Sequence, residues 1–70
     1  MPILEMHLLE GRSVELKRKA VAAVTTALVE SLGVRAEQVR ILITEHNDEN
    51  FSVGGQTIGQ RNQSTKTAGD

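Results

Sequence analysis

Seventy residues with no cysteine and a net charge of −1 describe one small domain. Disulfides, thiolate metal sites and the basic surface of a nucleic-acid binder are excluded. A core this small rarely supplies more than about 3–5 kcal/mol, so self-assembly is the expected reinforcement.

The stretch Pro2 to Leu9 alternates, with Pro2, Leu4, Met6 and Leu8 on one face, and predicts a strand. Proline is tolerated as its first residue. Gly11 punctuates the chain, Ser13 is placed as a helix N-cap, and Glu15 sits in the first turn. Val14 to Leu32 then predicts one helix. Its buried stripe is Ala20, Val21, Val24, Ala27, Leu28 and Leu32. The basic run Lys17-Arg18-Lys19 beside the stripe reads as a solvated face.

Gly33 stands where a helix ends, and Val34 to Gln38 form a connection. Val39 to Glu45 is dense in β-branched residues and predicts a second strand. A polar loop, His46 to Asn50, leads into a hairpin over Phe51 to Ile58 that turns at Gly54-Gly55. His7 and His46 are read as structural or exposed. The expected domain is 1–60, followed by a polar, flexible tail over 61–70. Phe51 is the one aromatic residue, which leaves no base-stacking platform for nucleic acid. No apolar run approaches the roughly 18–20 residues of a membrane span, and no signal-peptide pattern opens the chain. A cytoplasmic location is expected.

A helix between two strands implies a crossover, so the strands are expected to be parallel. Pro2 and Arg40 then lie at one edge of the sheet. Arg12 lies past the other end, roughly 30 Å away at about 3.3 Å per residue. A site that uses both Pro2 and Arg12 must be shared between chains. If Met1 is removed, Pro2 becomes a secondary amine at the amino terminus. An α-amino group has a reference pKa of about 7.7–8.0, within reach of general-base work at neutral pH.

These residues carry a resemblance. Pro2-Ile3, Leu9-Glu10-Gly11-Arg12-Ser13, Val39-Arg40-Ile41-Leu42-Ile43-Thr44-Glu45 and Phe51-Ser52-Val53-Gly54-Gly55 follow in order and at family spacing. The sequence resembles the 4-oxalocrotonate tautomerase family over Pro2 to about Ile58. The resemblance implies an α+β fold: a βαβ subunit with a short C-terminal hairpin (MIF-like), assembled as a hexamer, a trimer of dimers. It implies an isomerase acting on 2-hydroxymuconate-like dienols in the catabolism of aromatic compounds.

Pro2 is then the general base, with arginines reaching it from neighbouring chains. Arg12 holds the distal carboxylate of a dicarboxylate or 2-oxo acid. Arg40 binds the 2-oxo or 2-hydroxy oxygen, Phe51 is the apolar wall, and Leu9 and Gln38 complete the substrate contacts. Arginine's planar fork suits carboxylate and enolate oxygens. Cationic neighbours and an apolar wall both disfavour a protonated Pro2. The proton transfer calls for no metal and no organic cofactor.

The sequence also departs from the family. Gln38 replaces a small hydroxyl residue, and Met6-His7-Leu8 and the loop from His46 to Asn50 differ. Related dehalogenases and hydratases carry an added carboxylate near the position of Val53, which makes a hydratase reading the weaker alternative. Glu45, Asp48 or Glu49 are the other carboxylates at hand, Asp48 and Glu49 being read as a solvated loop. Other proline-based chemistry and a non-catalytic oligomeric scaffold are the remaining alternatives.

Overall fold

In a computed structural model, which describes residues 1–69, the chain begins with strand β1, Ile3–Leu9. Helix α1, Val14–Leu32, follows, and then strand β2, Arg40–His46. The strands pair in parallel, from Ile3 opposite Arg40 to Leu9 opposite His46. The order β-α-β and the parallel register are those that the sequence predicts.

Both ends of α1 follow from local chemistry. Ser13 Oγ accepts the Leu16 backbone N–H at 3.2 Å, satisfying one of the orphan donors of the first turn. Gly33 adopts φ 71°, and its N–H donates to the Val29 carbonyl at 3.0 Å. A side chain at that left-handed position would be strained. A short 3-10 turn, Ala36–Gln38, then returns the chain to β2.

Alternation decides the two faces of the sheet. Pro2, Leu4, Met6, Leu8, Ile41 and Ile43 are half-buried, whereas Ile3, Glu5, His7, Arg40, Leu42 and Thr44 are exposed. Ala20, Val21, Val24 and Leu28 of the predicted helix stripe are likewise half-buried. Ala27 and Leu32 belong to that predicted stripe but are exposed, and Lys17, Thr25 and Val29 are half-covered in their stead. Lys17 also departs from the predicted solvated face: its Nζ lies 3.1 Å from Glu45 Oε1, tying α1 to β2.

The glycine-pair hairpin is present, with strands β3, Ser52–Val53, and β4, Gln56–Thr57. Gly54 and Gly55 have φ 62° and 85°, the two positive values that a tight type I′ turn requires. An element absent from the sequence reading follows. Helix α2, Ile58–Gly69, includes most of the segment expected as a flexible tail. Thr57 Oγ1 accepts from Gln60 N at 3.1 Å, and Gln60 Oε1 accepts from Thr57 N at 2.9 Å. This reciprocal capping box starts the helix. Asp70, the last residue of that expected tail, and the side chains from 64 onward lie outside the described residues.

Among the described residues none is buried, and Ile3 and Leu42 on the open face are 52% and 55% exposed. A compact monomer of 7.6 kDa exposes about 4300 Å². This subunit exposes 5406 Å². Its radius of gyration is 16.2 Å, against about 11 Å for a compact chain of this length. Both values exceed those of a compact monomer of this size.

Candidate active site

The parallel ladder sorts the candidate residues into two groups. Pro2, Gln38 and Arg40 stand at the end where the strands begin. Leu9, Arg12 and Phe51 stand where they finish. Seven residue steps from Pro2 to Leu9 amount to about 23 Å, and Arg12 lies beyond.

At the starting end, the Arg40 N–H donates to the Pro2 carbonyl at 3.0 Å, extending the ladder by one bond. Pro2 itself is half-covered. The Arg40 side chain is exposed; its Nη1 lies 3.6 Å from Met1 Sδ and 3.5 Å from the Gln38 carbonyl. These are long contacts for so strong a donor, and they leave most of the guanidinium's hydrogen-bonding capacity unused. Gln38 presents its carbonyl here. Its side-chain Oε1 accepts from Arg35 N at 3.0 Å, closing the 3-10 turn. The residue predicted to touch substrate therefore spends its amide oxygen on local structure.

At the finishing end, Arg12 Nη1 donates to the Leu9 carbonyl at 3.3 Å. Leu9 is the register partner of His46, whose carbonyl accepts from Glu10 N at 2.8 Å. Arg12, Leu9 and His46 are thus one connected corner. Phe51 joins it: its ring meets that of His46 edge to face, with centroids 6.1 Å apart and planes at 81°. The Phe51 carbonyl accepts from Ile58 N at 2.8 Å, which fixes the backbone beneath the ring. Sequence reasoning places His46 in a loop; it is the last residue of β2, and its side chain reaches His7 at 2.9 Å. Strand content around Thr44-Glu45 was the available signal, and the boundary missed by one residue.

Of the three carboxylates considered for activating water, Asp48 is exposed in the loop, while Glu45 and Glu49 have partners. Glu45 pairs with Lys17, and Glu49 Oε2 accepts from Thr57 Oγ1 at 3.4 Å. Among the described residues no group of three or more His, Cys, Asp or Glu converges to hold a metal, and no helix is long and apolar enough to cross a membrane. An open hollow of about 290 Å³ lies between α1 and β2, lined by Val14, Lys17, Arg18, Val21, Ile43 and Glu45. Its lining includes none of Pro2, Leu9, Arg12, Gln38, Arg40 and Phe51.

Comparison with known proteins shows the family of the chain. A family model described as tautomerase enzyme matches residues 2–61. A 2-hydroxymuconate tautomerase from Pseudomonas putida is 38% identical over 63 residues, covering 90% of this chain and 100% of the relative. A solved structure among the 4-oxalocrotonate tautomerase isozymes of Methylibium petroleiphilum is 59% identical, with a TM-score of 0.88, over 90% of this chain and 98% of that one. A heterohexameric 4-oxalocrotonate tautomerase from Chloroflexus aurantiacus is 32% identical, with a TM-score of 0.82, over 86% and 97%.

Proposed function

Because the chain belongs to the 4-oxalocrotonate tautomerase family of isomerases, we propose that it moves a proton along 2-hydroxymuconate-like dienols with Pro2 as the general base. The Pro2 nitrogen, freed by loss of Met1, accepts one proton and returns it at another position of the conjugated system. No atom is gained or lost and no electron leaves the substrate. Arg40 stabilises the oxygen on which negative charge develops, and such a donor acts most strongly in a site closed to water. Arg12 holds the distal carboxylate, and Leu9 and Phe51 form the apolar boundary. The domain that carries this chemistry is 1–60, in a cytoplasmic enzyme.

The observation that supports this reading is the separation of the two ends. Base and distal arginine are both present, yet a ladder of seven paired residues stands between them. A substrate small enough to touch both needs one end from each of two chains. The exposed Ile3 and Leu42 give those chains an apolar face to share. We assign the assembly as a homohexamer, the order of assembly found in the Chloroflexus relative. Glu45 and Glu49 are already paired, which leaves Asp48, exposed in the loop, as the one of these three carboxylates open to the hydratase and dehalogenase alternatives.

The test is complementation. Chains that retain Met1 are mixed, unfolded and refolded with Arg12→Ala chains, and isomerisation of 2-hydroxymuconate is followed by absorbance. At substrate well below the raised KM of Arg12→Ala, the mixture is expected to turn over faster than the sum of its parents. A mixture no better than the sum of its parents rejects the shared site. A processed wild-type enzyme no faster than buffer rejects the substrate class.

A further inference from the structure

His46 ends β2 and is the residue through which Phe51 is tied to both strands. Its Nε2 lies 2.9 Å from His7 Nδ1, and the ring centroids are 5.1 Å apart with planes 25° from parallel. That centroid separation is close to the nitrogen–nitrogen distance plus the two ring radii. The imidazoles therefore lie end to end, with the hydrogen bond along their common line, and are not stacked face on face. One ring donates its N–H and the other accepts it. In the ladder His7 is paired with Thr44, so the bond to His46 runs diagonally across the two strands. The same His46 ring meets Phe51 edge to face.

We infer that His46, anchored by His7, is a positioning residue for the Phe51 wall and sets how tightly the site holds the distal half of its substrate. This rests on the assignment of Phe51 and Arg12 to the substrate site. Phe51 precedes strands of two residues each, so local pairing constrains its ring weakly. An edge-to-face contact is directional: it orients Phe51 only if the partner ring is itself fixed. The His7 bond supplies that fixing and ties it to β1, the strand that leads through Leu9 to Arg12. Wall and carboxylate-binding arginine thereby keep one relative placement. Within the subunit both histidines are exposed or half-covered, so little of the chain's own apolar packing holds either ring in place of this bond.

The experiment is a set of variants assayed on 2-hydroxymuconate. His7→Ala and His46→Ala are expected to raise KM about 3- to 10-fold, the range that loss of one oriented ring contact gives, with kcat near wild type. The double variant is expected to be no worse than His46→Ala alone, since both act through one chain of contacts. His7→Asn places an amide near Nδ1 and is expected to restore KM, which general loosening would not do. His46→Gln keeps a partner for His7 but loses the ring that meets Phe51, and is expected to raise KM as His46→Ala does. Only variants that sediment as the wild type are compared. Should His46→Ala fail to assemble, His7→Ala and His46→Gln carry the test.

Phe51→Ala is measured alongside. If it turns over as wild type does, the wall itself is misassigned and the inference falls with it. If Phe51→Ala raises KM while His7→Ala equals wild type, or the two histidine effects add, the positioning role alone is overturned.

Discussion

The two ends of the β1–β2 ladder carry the same kind of cargo on different supports. Each presents an arginine, Arg40 beside Pro2 at one end and Arg12 beside Leu9 at the other. At the starting end the backbone is ordered, with Arg40 N bonded to the Pro2 carbonyl, but the Arg40 side chain reaches only Met1 Sδ and one carbonyl at long range. At the finishing end Arg12, Leu9, His46, His7 and Phe51 are linked by hydrogen bonds, register and ring contact. On the proposed function, one end supplies a base and an electrophilic donor, and the other a wall built in advance. A shared site gains from that asymmetry, because ordering one half before assembly lowers the entropy lost when substrate arrives.

Blocking the starting end is the strongest way to break the comparison. A chain that keeps Met1 has an amide at Pro2 and is expected to lose about 10²–10⁴ in rate, the usual worth of a general base. Intact mass alongside the absorbance assay decides it: full activity at full-length mass ends the role of Pro2.

The two arginines are expected to fail differently. Arg40→Ala is expected to lower kcat about 10²–10³-fold, as removal of a transition-state donor does. Arg12→Ala is expected to raise KM about 10- to 100-fold, the worth of a hydrogen bond to a charged group. If both variants shift KM alone, the ends are not distinct in role.

Below these effects come the supports. Leu42→Asp puts a charge on the exposed face and is expected to shift sedimentation from oligomer to dissociated chains; an unchanged profile would show that this face is not shared. Thr57→Ala removes one member of the α2 capping box and is expected to cost about 0.5–2 kcal/mol of helix stability. Loss of helical signal on heating reports it, with activity unchanged where α2 stands apart from the site.

Much of the architecture was legible. Ser13, Gly33 and the glycine pair act on neighbours a few residues away, and period-two alternation separated Leu4, Met6 and Leu8 from Ile3, Glu5 and His7. The cap of α2 was also written in the chain, as Thr57-Ile58-Gly59-Gln60, but the polar composition that follows it hid the helix. Gln38 is a different case: the sequence does not tell that its side-chain oxygen accepts from Arg35 N, which only the fold shows.

What the sequence determined by itself is therefore local and periodic: two strands, one capped helix, a glycine turn and, through the need for a crossover, parallel strands. That was enough to set Pro2 and Arg12 at opposite ends, since strand length and direction are one-dimensional quantities. The tertiary structure alone decided which distant side chains meet. His7 and His46 are 39 residues apart, and Lys17 and Glu45 are 28 apart. Their contacts depend on register and on how α1 lies over the sheet, and a shift of one residue would turn each strand's side chains to the other face.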